Sequence, residues 1–544
     1  LRDGSKISAL KRLALIAAAI GLLWLCPSSG PGKWLPFIAL APFALALRGV
    51  RPLSGLFLGW LGGAGFWAVS AWWVYNSSIF LLYWPWPGAL AATILFCLYQ
   101  GVPYALLGLA CGFMNRRGRP PGSLFCASLL ALLVYLRPVV CPGSPALILY
   151  SWPGAIQAAD LGGFHLINFL LFLVNWLFAE GLAGLGRPRR AVAGLAALGL
   201  ILAALLGYGS WRLDGISRLA ETADKDDFIA IRTIQPNIPI KGHKGMDTSG
   251  PYVGAVGVML STTRKAAAEL PPADLVLWPE VPTRVACDCE EFRRYRLHRA
   301  DPASGGPVLV ACVENDYGDN PVVRHGTGSE DGRGVSMYTR KIDSMYNSLW
   351  LVDGDDCRMA YRKVKLVPFG ERTPLQEVWP WLRTSVGRTL EYTPGPGPGV
   401  VELPGGKKVQ PLICFESGFA ELARAGVGQG ARALVNVSDD AWFVQAKAAE
   451  LHLALALFRA VEQRRPLVRC TNSGFGAHIR ATGEIVPGSL TGMYKRTFRQ
   501  ALMHCPEIKT IYARLGDAWL WLPAVFAAVA LLAAAFRPPE GRCH

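Results

Sequence analysis

Apolar and polar positions divide the 544-residue chain into two regimes. Up to about residue 212, long apolar runs at 13–26, 34–47, 53–75, 88–114, 123–140, 162–183 and 191–210 are separated by short polar connections. Several of them match the ~20 residues that a helix needs to cross the hydrocarbon layer of a bilayer. The second run is short and interrupted by Pro36 and Pro42, which predicts a tilted, broken or partly inserted helix. From about 227 to 510 the pattern changes. Short β-rich runs at 228–235, 275–278, 308–313, 347–352, 359–365, 409–414 and 433–437 alternate with helical stretches at 256–270, 419–425 and 448–462, the order of an α/β layered fold. An exposed insertion is expected at 318–333, rich in Gly, Asp and Ser, and an eighth apolar run follows at 518–536. The expected organisation is a membrane domain over 1–212, a globular domain over 227–510 and a C-terminal transmembrane helix over 516–537.

Composition agrees: 52% hydrophobic residues and a mean hydropathy of +0.28 are too high for a purely soluble protein. A formal net charge of +16 invites a nucleic-acid reading, but no nucleic-acid motif is present and many of the basic residues flank apolar runs. Arg2, Lys6, Lys11 and Arg12 precede the first run; Arg48 and Arg51 follow the second, Arg116, Arg117 and Arg119 the fourth, and Arg187, Arg189 and Arg190 the sixth. The other connections carry little more than Lys33 and Arg137. Basic residues on every second connection predict seven spans with a cytoplasmic N-terminus, so the globular part lies outside; Arg537 and Arg542 return the C-terminus to the cytoplasm. Further apolar runs follow residues 1–27 at once, which argues against a cleaved signal peptide there. Trp72, Trp73, Trp84 and Trp86 suit either the headgroup layer or packing between helices.

Thirteen cysteines without regular spacing indicate neither a disulfide framework nor a zinc site. Cys26, Cys97, Cys111, Cys126 and Cys141 fall in apolar runs and read as small packing residues, and Cys287 and Cys289 read as part of a surface loop.

The candidate chemistry sits at the ends of three apolar runs in the globular part. Asp274-Leu-Val-Leu-Trp-Pro-Glu280 delivers a carboxylate, Tyr361-Arg-Lys-Val-Lys-Leu-Val-Pro-Phe-Gly-Glu371 an ammonium, and Gln410-Pro-Leu-Ile-Cys-Phe-Glu-Ser-Gly418 a thiol, Cys414. A thiol is a strong nucleophile only as thiolate, which a nearby base and a nearby cation both promote, so the trio points to acyl transfer through a thioester. By the two-residue period, Lys363 and Lys365 share one face of a strand, and periodicity leaves the choice between them open.

Trp278-Pro279-Glu280, Tyr361-x-Lys363-x-x-Leu-Val-Pro-Phe-Gly-Glu371 and Cys414-Phe415-Glu416 resemble the Glu-Lys-Cys triad of the nitrilase superfamily. The long Leu-Val-Pro-Phe-Gly-Glu string together with the apolar runs narrows the resemblance to the apolipoprotein N-acyltransferase family. That resemblance implies an α-helical transmembrane bundle of about eight spans plus an αββα nitrilase-like sandwich. It implies Glu280 as general base, Lys363 as the cation that steadies the oxyanion and Cys414 as nucleophile. Glu371, Glu416 and Phe415 would support them, and Asn237, Trp379, Trp381, Trp442 and His452 would contact substrate. The donor implied is a phospholipid and the acceptor the α-amino group of a diacylglyceryl-modified N-terminal cysteine of a lipoprotein. The setting implied is a bacterial inner membrane, with no nucleic acid and no cofactor. Trp379-Pro-Trp-Leu382 suits a membrane-facing arm or a domain-packing loop, and residues 157–168 look like the polar lead-in to the family's sixth span.

Three departures bear on substrate choice. Phe415 replaces the family's usual tyrosine, His243 and Lys244 stand where a tryptophan is expected after Gln235-Pro-Asn237, and Val-Gln-Ala-Lys-Ala-Ala-Glu-Leu replaces a Gly- and Ser-bearing loop before His452. A membrane-tethered amidase that uses water as acceptor, and a non-catalytic membrane scaffold, are the rival readings.

Overall fold

The computed structural model describes residues 7–26, 31–69, 71–80, 84–138, 140, 142–184, 188–238, 253–280, 304–318, 322–326, 336–340, 342–382 and 391–536. His243, Lys244, Cys141, Cys287 and Cys289 lie outside them. The apolar half forms helices α1 (Ala9–Leu25), α2 (Pro36–Ala39), α3 (Ala41–Ala46), α4 (Pro52–Ala68), α5 (Trp72–Phe80), α6 (Trp86–Arg116), α7 (Ser123–Leu136), α8 (Ala159–Ala183) and α9 (Pro188–Glu221).

Among the described residues four helical segments are long and apolar enough to cross a bilayer: Trp86–Arg116, Ala159–Ala183, Ala191–Glu221 and Ile511–Ala535. They become five if α4 and α5, which meet at 59°, form one broken span. The first, second and fifth runs fall short because proline stops them. The second splits into helices of 4 and 6 residues at Pro36 and Pro42, while α1 ends before Pro27 and α7 before Arg137-Pro138. Helix α8 starts three residues earlier than its apolar run and is broken at Gly162 and Gly163, the latter at φ +68°.

Helices α4 and α6 touch backbone to backbone. A Cβ on Gly108 would lie 1.9 Å from the Gly55 carbonyl oxygen, and one on Gly59 2.2 Å from that of Tyr104. Glycine on both surfaces is what allows this approach.

The second half is a layered α/β unit. One sheet has the order β13-β1-β2-β3-β6-β7 and the other β12-β11-β10-β9-β8. In chain order the strands of the two sheets are β1 (Phe228–Gln235), β2 (Leu275–Leu277), β3 (Val308–Asp316), β6 (Ser344–Asp353), β7 (Asp356–Arg362), β8 (Val401–Glu402), β9 (Lys408–Ile413), β10 (Ala433–Ser438), β11 (Leu467–Thr471), β12 (Ala477–Ile479) and β13 (Thr497–His504), while β4 (Val322–Gly326), inside the expected insertion, and β5 (Ser336–Arg340), just beyond it, form a separate hairpin. Strands β1, β2 and β3 run parallel, as do β9, β10 and β11. Ile231, Leu277 and Leu309 of one sheet meet Val409, Val435 and Val468 of the other in a shared core. Helix α10 (Val253–Glu269) covers the outer face of the first sheet, and α11 (Ala420–Gly428) and α12 (Ala446–Gln463) cover the second. The chain closes with α13 (Ile511–Leu515) and α14 (Trp521–Ala535).

Helix α12 is buried on both sides, because its other face packs on Phe164, Ile167 and Leu171 of α8. At its left-handed C-terminal cap, Arg464 donates to Asp160 Oδ2 at 2.7 Å and to Gln157 Oε1 at 2.7 Å, while Tyr208 and Arg212 reach the same Asp160 at 2.7 and 2.8 Å. The polar segment before the sixth run is therefore where the two halves are tied together, by a charge that is buried and paired.

Beyond the expected strands, β4, β5, β8, β11, β12 and β13 are additional. Strand β7 ends at Arg362, so Lys363 and Lys365 do not share a strand face. Lys363 is buried, and Lys365 is at the surface, 3.2 Å from Glu421. Cys312 is disulfide-bonded, a pairing that the irregular cysteine spacing concealed. Cys26, Cys97, Cys111 and Cys126 are buried free thiols, as their apolar surroundings led us to expect.

The glycine contact gives a direct test. Gly108→Ala should destabilise the protein by about 1–3 kcal/mol through overpacking. Gly199→Ala, at a site with no neighbour within 4 Å, should be neutral or slightly stabilising. Thermal unfolding of the two variants in detergent would measure the difference.

Candidate active site

Strand β9 ends at Ile413, and the chain turns into a short 3-10 helix, Cys414–Gly418. Cys414 stands at φ +52°, a sparsely populated region for a residue with a side chain, and such strain persists only where the surroundings hold it. Three groups hold its carbonyl: His452 Nε2 at 3.0 Å, Ser417 Oγ at 3.1 Å and Asn436 Nδ2 at 3.4 Å. His452 is held in turn through Nδ1, 2.9 Å from Asp440 Oδ1 and 3.0 Å from the Arg469 guanidinium, which also bonds both Asp440 oxygens at 2.8 Å. Burial works against the Asp440 charge, but Arg469 and His452 outweigh it and keep the carboxyl well below its usual range.

Glu416 is buried beneath the loop that carries Lys363. It accepts hydrogen bonds from the backbone N–H groups of Ile413 at 2.8 Å, Val364 at 2.7 Å and Lys365 at 3.1 Å, and from the Tyr361 hydroxyl at 3.0 Å. One carboxylate thus fixes the lysine loop against the cysteine turn. Burial pushes Glu416 up to about 7, while the backbone donors and Lys363 pull it down.

Lys363 is 1% exposed and its Nζ lies 3.1 Å from Glu280 Oε1 and 2.9 Å from Glu371 Oε1. Asn347, on β6, donates to the same two oxygens at 2.9 and 3.1 Å, and the Val367 N–H holds the other Glu371 oxygen at 2.8 Å. Glu280 Oε2 accepts from the Asp439 N–H at 3.3 Å. Burial opposes the Lys363 charge, yet Glu280 and Glu371 more than offset it and hold the ammonium well above the usual lysine range. Two of its three N–H bonds are used here, which leaves one for a ligand. Burial, reinforced by the Glu280 carboxylate, pushes the Cys414 thiol well above its usual range. A thiol raised in this way reacts only with a base at hand to take its proton.

Glu280, Lys363 and Cys414 line one cavity of about 1200 Å³ with Asn347, Glu371, Phe415, Asp439 and His452. Much of its wall comes from the apolar half, including Leu23, Phe66, Trp67, Trp73, Trp84 and Phe96. Phe443 packs edge-on against both Trp73 and His452, so an aromatic row links the bent α4–α5 segment to the cysteine turn.

Three of the remaining sequence candidates, Asn237, Trp379 and Trp381, do not line this cavity. Asn237 lies off the cavity and donates to the Tyr494 carbonyl at 3.0 Å. Trp379 and Trp381 are about half exposed, at 48% and 62%, beside exposed Leu375 and Val378. The Trp442 side chain falls outside the described part. Sequence reasoning missed the roles of Asn347, Asp440 and Arg469 in holding the site; the short Asn436-Val-Ser-Asp-Asp segment was the available signal.

A carbon-nitrogen hydrolase family model matches residues 253–491, and the model of the apolipoprotein N-acyltransferase N-terminal domain matches residues 18–177. The solved structure of Saccharomyces cerevisiae Nit3, a member of branch 10 of the nitrilase superfamily, aligns at 17% identity and a TM-score of 0.34, covering 53% of this chain and 93% of that one. The two family models and the two-sheet topology together define a nitrilase-like α/β domain joined to apolar helices. Over 538 residues the chain is 28% identical to the apolipoprotein N-acyltransferase of Geobacter metallireducens, covering 97% of this chain and 96% of that protein. It is 29% identical over 490 residues to that of Caulobacter vibrioides, covering 86% and 84%. The chain belongs to the apolipoprotein N-acyltransferase family.

If Glu416 pins the two loops together, Glu416→Gln turns an amide N–H₂ toward backbone donors. It should cost about 1–3 kcal/mol. Tyr361→Phe, which removes only one of the four donors, should cost about 1 kcal/mol. Equal melting temperatures for wild type and Glu416→Gln would contradict this role.

Proposed function

We propose that this chain is an apolipoprotein N-acyltransferase that moves an acyl chain from a phospholipid, through a thioester on Cys414, to the α-amino group of a lipoprotein's diacylglyceryl-modified N-terminal cysteine. The observation that carries this reading is the meeting of Glu280, Lys363 and Cys414 in a cavity walled largely by apolar helices. A bilayer lipid can reach such a site without leaving an apolar environment.

In the first half-reaction Glu280 takes the Cys414 proton as sulfur bonds to the ester carbonyl carbon. The oxyanion is stabilised by the remaining Lys363 N–H, in a water-poor site where such contacts are strongest. Collapse breaks the bond to the glycerol oxygen, Glu280 returns the proton to that oxygen, and a lysophospholipid leaves. In the second half the acceptor amine attacks the thioester carbonyl, Glu280 takes the amine proton, and the sulfur departs and recovers it. His452, Asp440 and Arg469 act as positioning residues by fixing the cysteine backbone.

The membrane arrangement belongs to the same proposal. Residues 1–212 form the membrane part, 227–510 the catalytic domain and 516–537 the last span, giving eight crossings once the shorter helices are counted. Both termini are cytoplasmic and the catalytic domain is extracytoplasmic, in a bacterial inner membrane. The alternation of basic connections supports that orientation. The disulfide at Cys312 also supports it, because such bonds persist in oxidising compartments.

Incubation of the purified protein with phospholipid alone should give an acyl adduct on Cys414 by intact-mass spectrometry, and none in Cys414→Ala. The adduct should discharge quickly only when an amine acceptor is added; discharge at the same rate in water alone would favour the amidase. Trp379 and Trp381 form an arm that dips into lipid. Replacing both with Ala should slow acylation from bilayer phospholipid by about tenfold, the equivalent of one lost apolar side-chain contact of ~1.4 kcal/mol, and leave acylation by a dispersed soluble ester unchanged. Equal loss with both donors would reject the arm.

A further inference from the structure

The second half-reaction releases one proton more than Glu280 can return to sulfur. In the first half the proton taken from Cys414 goes to the leaving glycerol oxygen, so Glu280 is free again when the acceptor arrives. An α-amino group has a pKa of about 7.7–8.0, and at neutral pH the acceptor therefore arrives mostly as an ammonium. An ammonium has no lone pair with which to attack. It must lose one proton before it can reach the thioester carbonyl and a second as the amide forms. Glu280 passes the second to the departing sulfur, and the first needs another base.

Asp439 stands beside Glu280 on the cavity wall. It follows β10, and its backbone N–H is the donor that holds Glu280 Oε2 at 3.3 Å. It is 8% exposed. Its Oδ1 accepts from the Ala441 N–H at 3.1 Å and its Oδ2 from the Asn472 side-chain amide at 3.2 Å, both neutral donors. Among the described residues no ion pair reaches it, whereas its neighbour Asp440 is tied to Arg469 and His452. Each carboxylate oxygen carries two lone pairs, so each has one left for a donor in the cavity. The titratable groups that bear on Asp439 are Glu280 from the end of β2, Asp440 beside it in the chain and Tyr494 from the loop before β13. Burial pushes its carboxyl up to about 7, with Glu280 and Asp440 adding to the rise and the Ala441 N–H and Asn472 amide opposing it. Two consecutive acids are thus driven apart. Asp440 stays an anion, while Asp439 exchanges a proton near neutral pH, where a general base works best.

We propose that Asp439 receives the α-ammonium of the acceptor and takes its extra proton, as a second base that serves only the aminolysis half of the reaction. One N–H bond of the ammonium breaks and its proton passes to Asp439, and from there to solvent. The freed nitrogen lone pair attacks the thioester carbonyl carbon, and Glu280 carries the second proton to sulfur as the C–S bond breaks. An ester donor brings no such proton, so acylation of Cys414 does not call on this base. The inference rests on the acyltransferase reading and adds the group that readies the acceptor.

The test uses the full-length protein loaded on Cys414 from phospholipid, with loss of the adduct followed by mass spectrometry. Two amines discharge it: a synthetic diacylglyceryl-cysteine peptide, which is an ammonium at neutral pH, and an alkoxyamine, which is not. The readout is the ratio of the two discharge rates, lipopeptide over alkoxyamine. At pH 7 roughly a tenth to a sixth of an α-amino group is neutral, so Asp439→Asn, which keeps the backbone N–H on Glu280, should lower that ratio about fivefold to tenfold. Raising the pH to 9 should restore it, because the amine is then neutral by itself. In the wild type, with the base half-ionised near pH 7, the ratio should fall no more than about twofold between pH 9 and pH 7. A wild-type ratio that falls about fivefold or more over that range would overturn the assignment, whether or not the variant folds. A variant ratio equal to that of the wild type at pH 7, or one that pH 9 does not restore, would overturn it too and leave the acyltransferase reading intact. A wild type that forms no adduct from phospholipid would overturn both.

Discussion

The structure turns on one buried ammonium. Lys363 is held between Glu280 and Glu371, with Asn347 donating to both acids. Removing any of these charges from water is costly, and the cluster persists only if every partner is in place. The four residues of the cluster come from four places in the chain: the end of β2, strand β6, the exit of β7 and the loop beyond it. Pairing β2 to β3, β3 to β6 and β6 to β7 in one sheet sets them side by side. The opposing sheet then supplies the cysteine turn, and Glu416 locks that turn to the lysine loop.

Helix α12 connects this chemistry to the membrane half. Near its start His452 holds the Cys414 carbonyl, and at its end Glu462 accepts from the Phe164 N–H at 2.8 Å, beside the glycine break in α8, while Arg464 binds Asp160. About 15–18 Å of helix therefore separates the Cys414 turn from the broken helix α8. The same helix forms one wall of the cavity, so the lipid-facing surface and the cysteine turn share a support.

Much of this was legible in the sequence for reasons that can be stated. The strand ends before Glu280 and Cys414 showed because each follows a short apolar run buried on both faces, and α12 showed through its length. The site trio was readable from motif strings rather than from periodicity. Periodicity misplaced Lys363 and Lys365 on a strand that in fact stops at Arg362, because the turn that follows is stabilised by Glu416 from 52 residues away. Long-range partners of this kind leave no local pattern, and for the same reason the contacts that Asn347, Asp440 and Arg469 make in the site were not foreseen. Apolar run length also overstated the helices, since the prolines at 27, 36, 42 and 138 cut them short.

In the mechanism proposed above, Cys414 rests as a thiol and reacts only when Glu280 takes its proton. The pH dependence of Cys414 alkylation by a small neutral reagent such as iodoacetamide, followed by mass spectrometry on the intact protein, tests this most directly. Alkylation should be slow at neutral pH, with the titration of the thiol falling above the ordinary thiol range. Fast alkylation that stays flat down to pH 6 would mean a thiolate already formed beside Lys363, and would contradict the account.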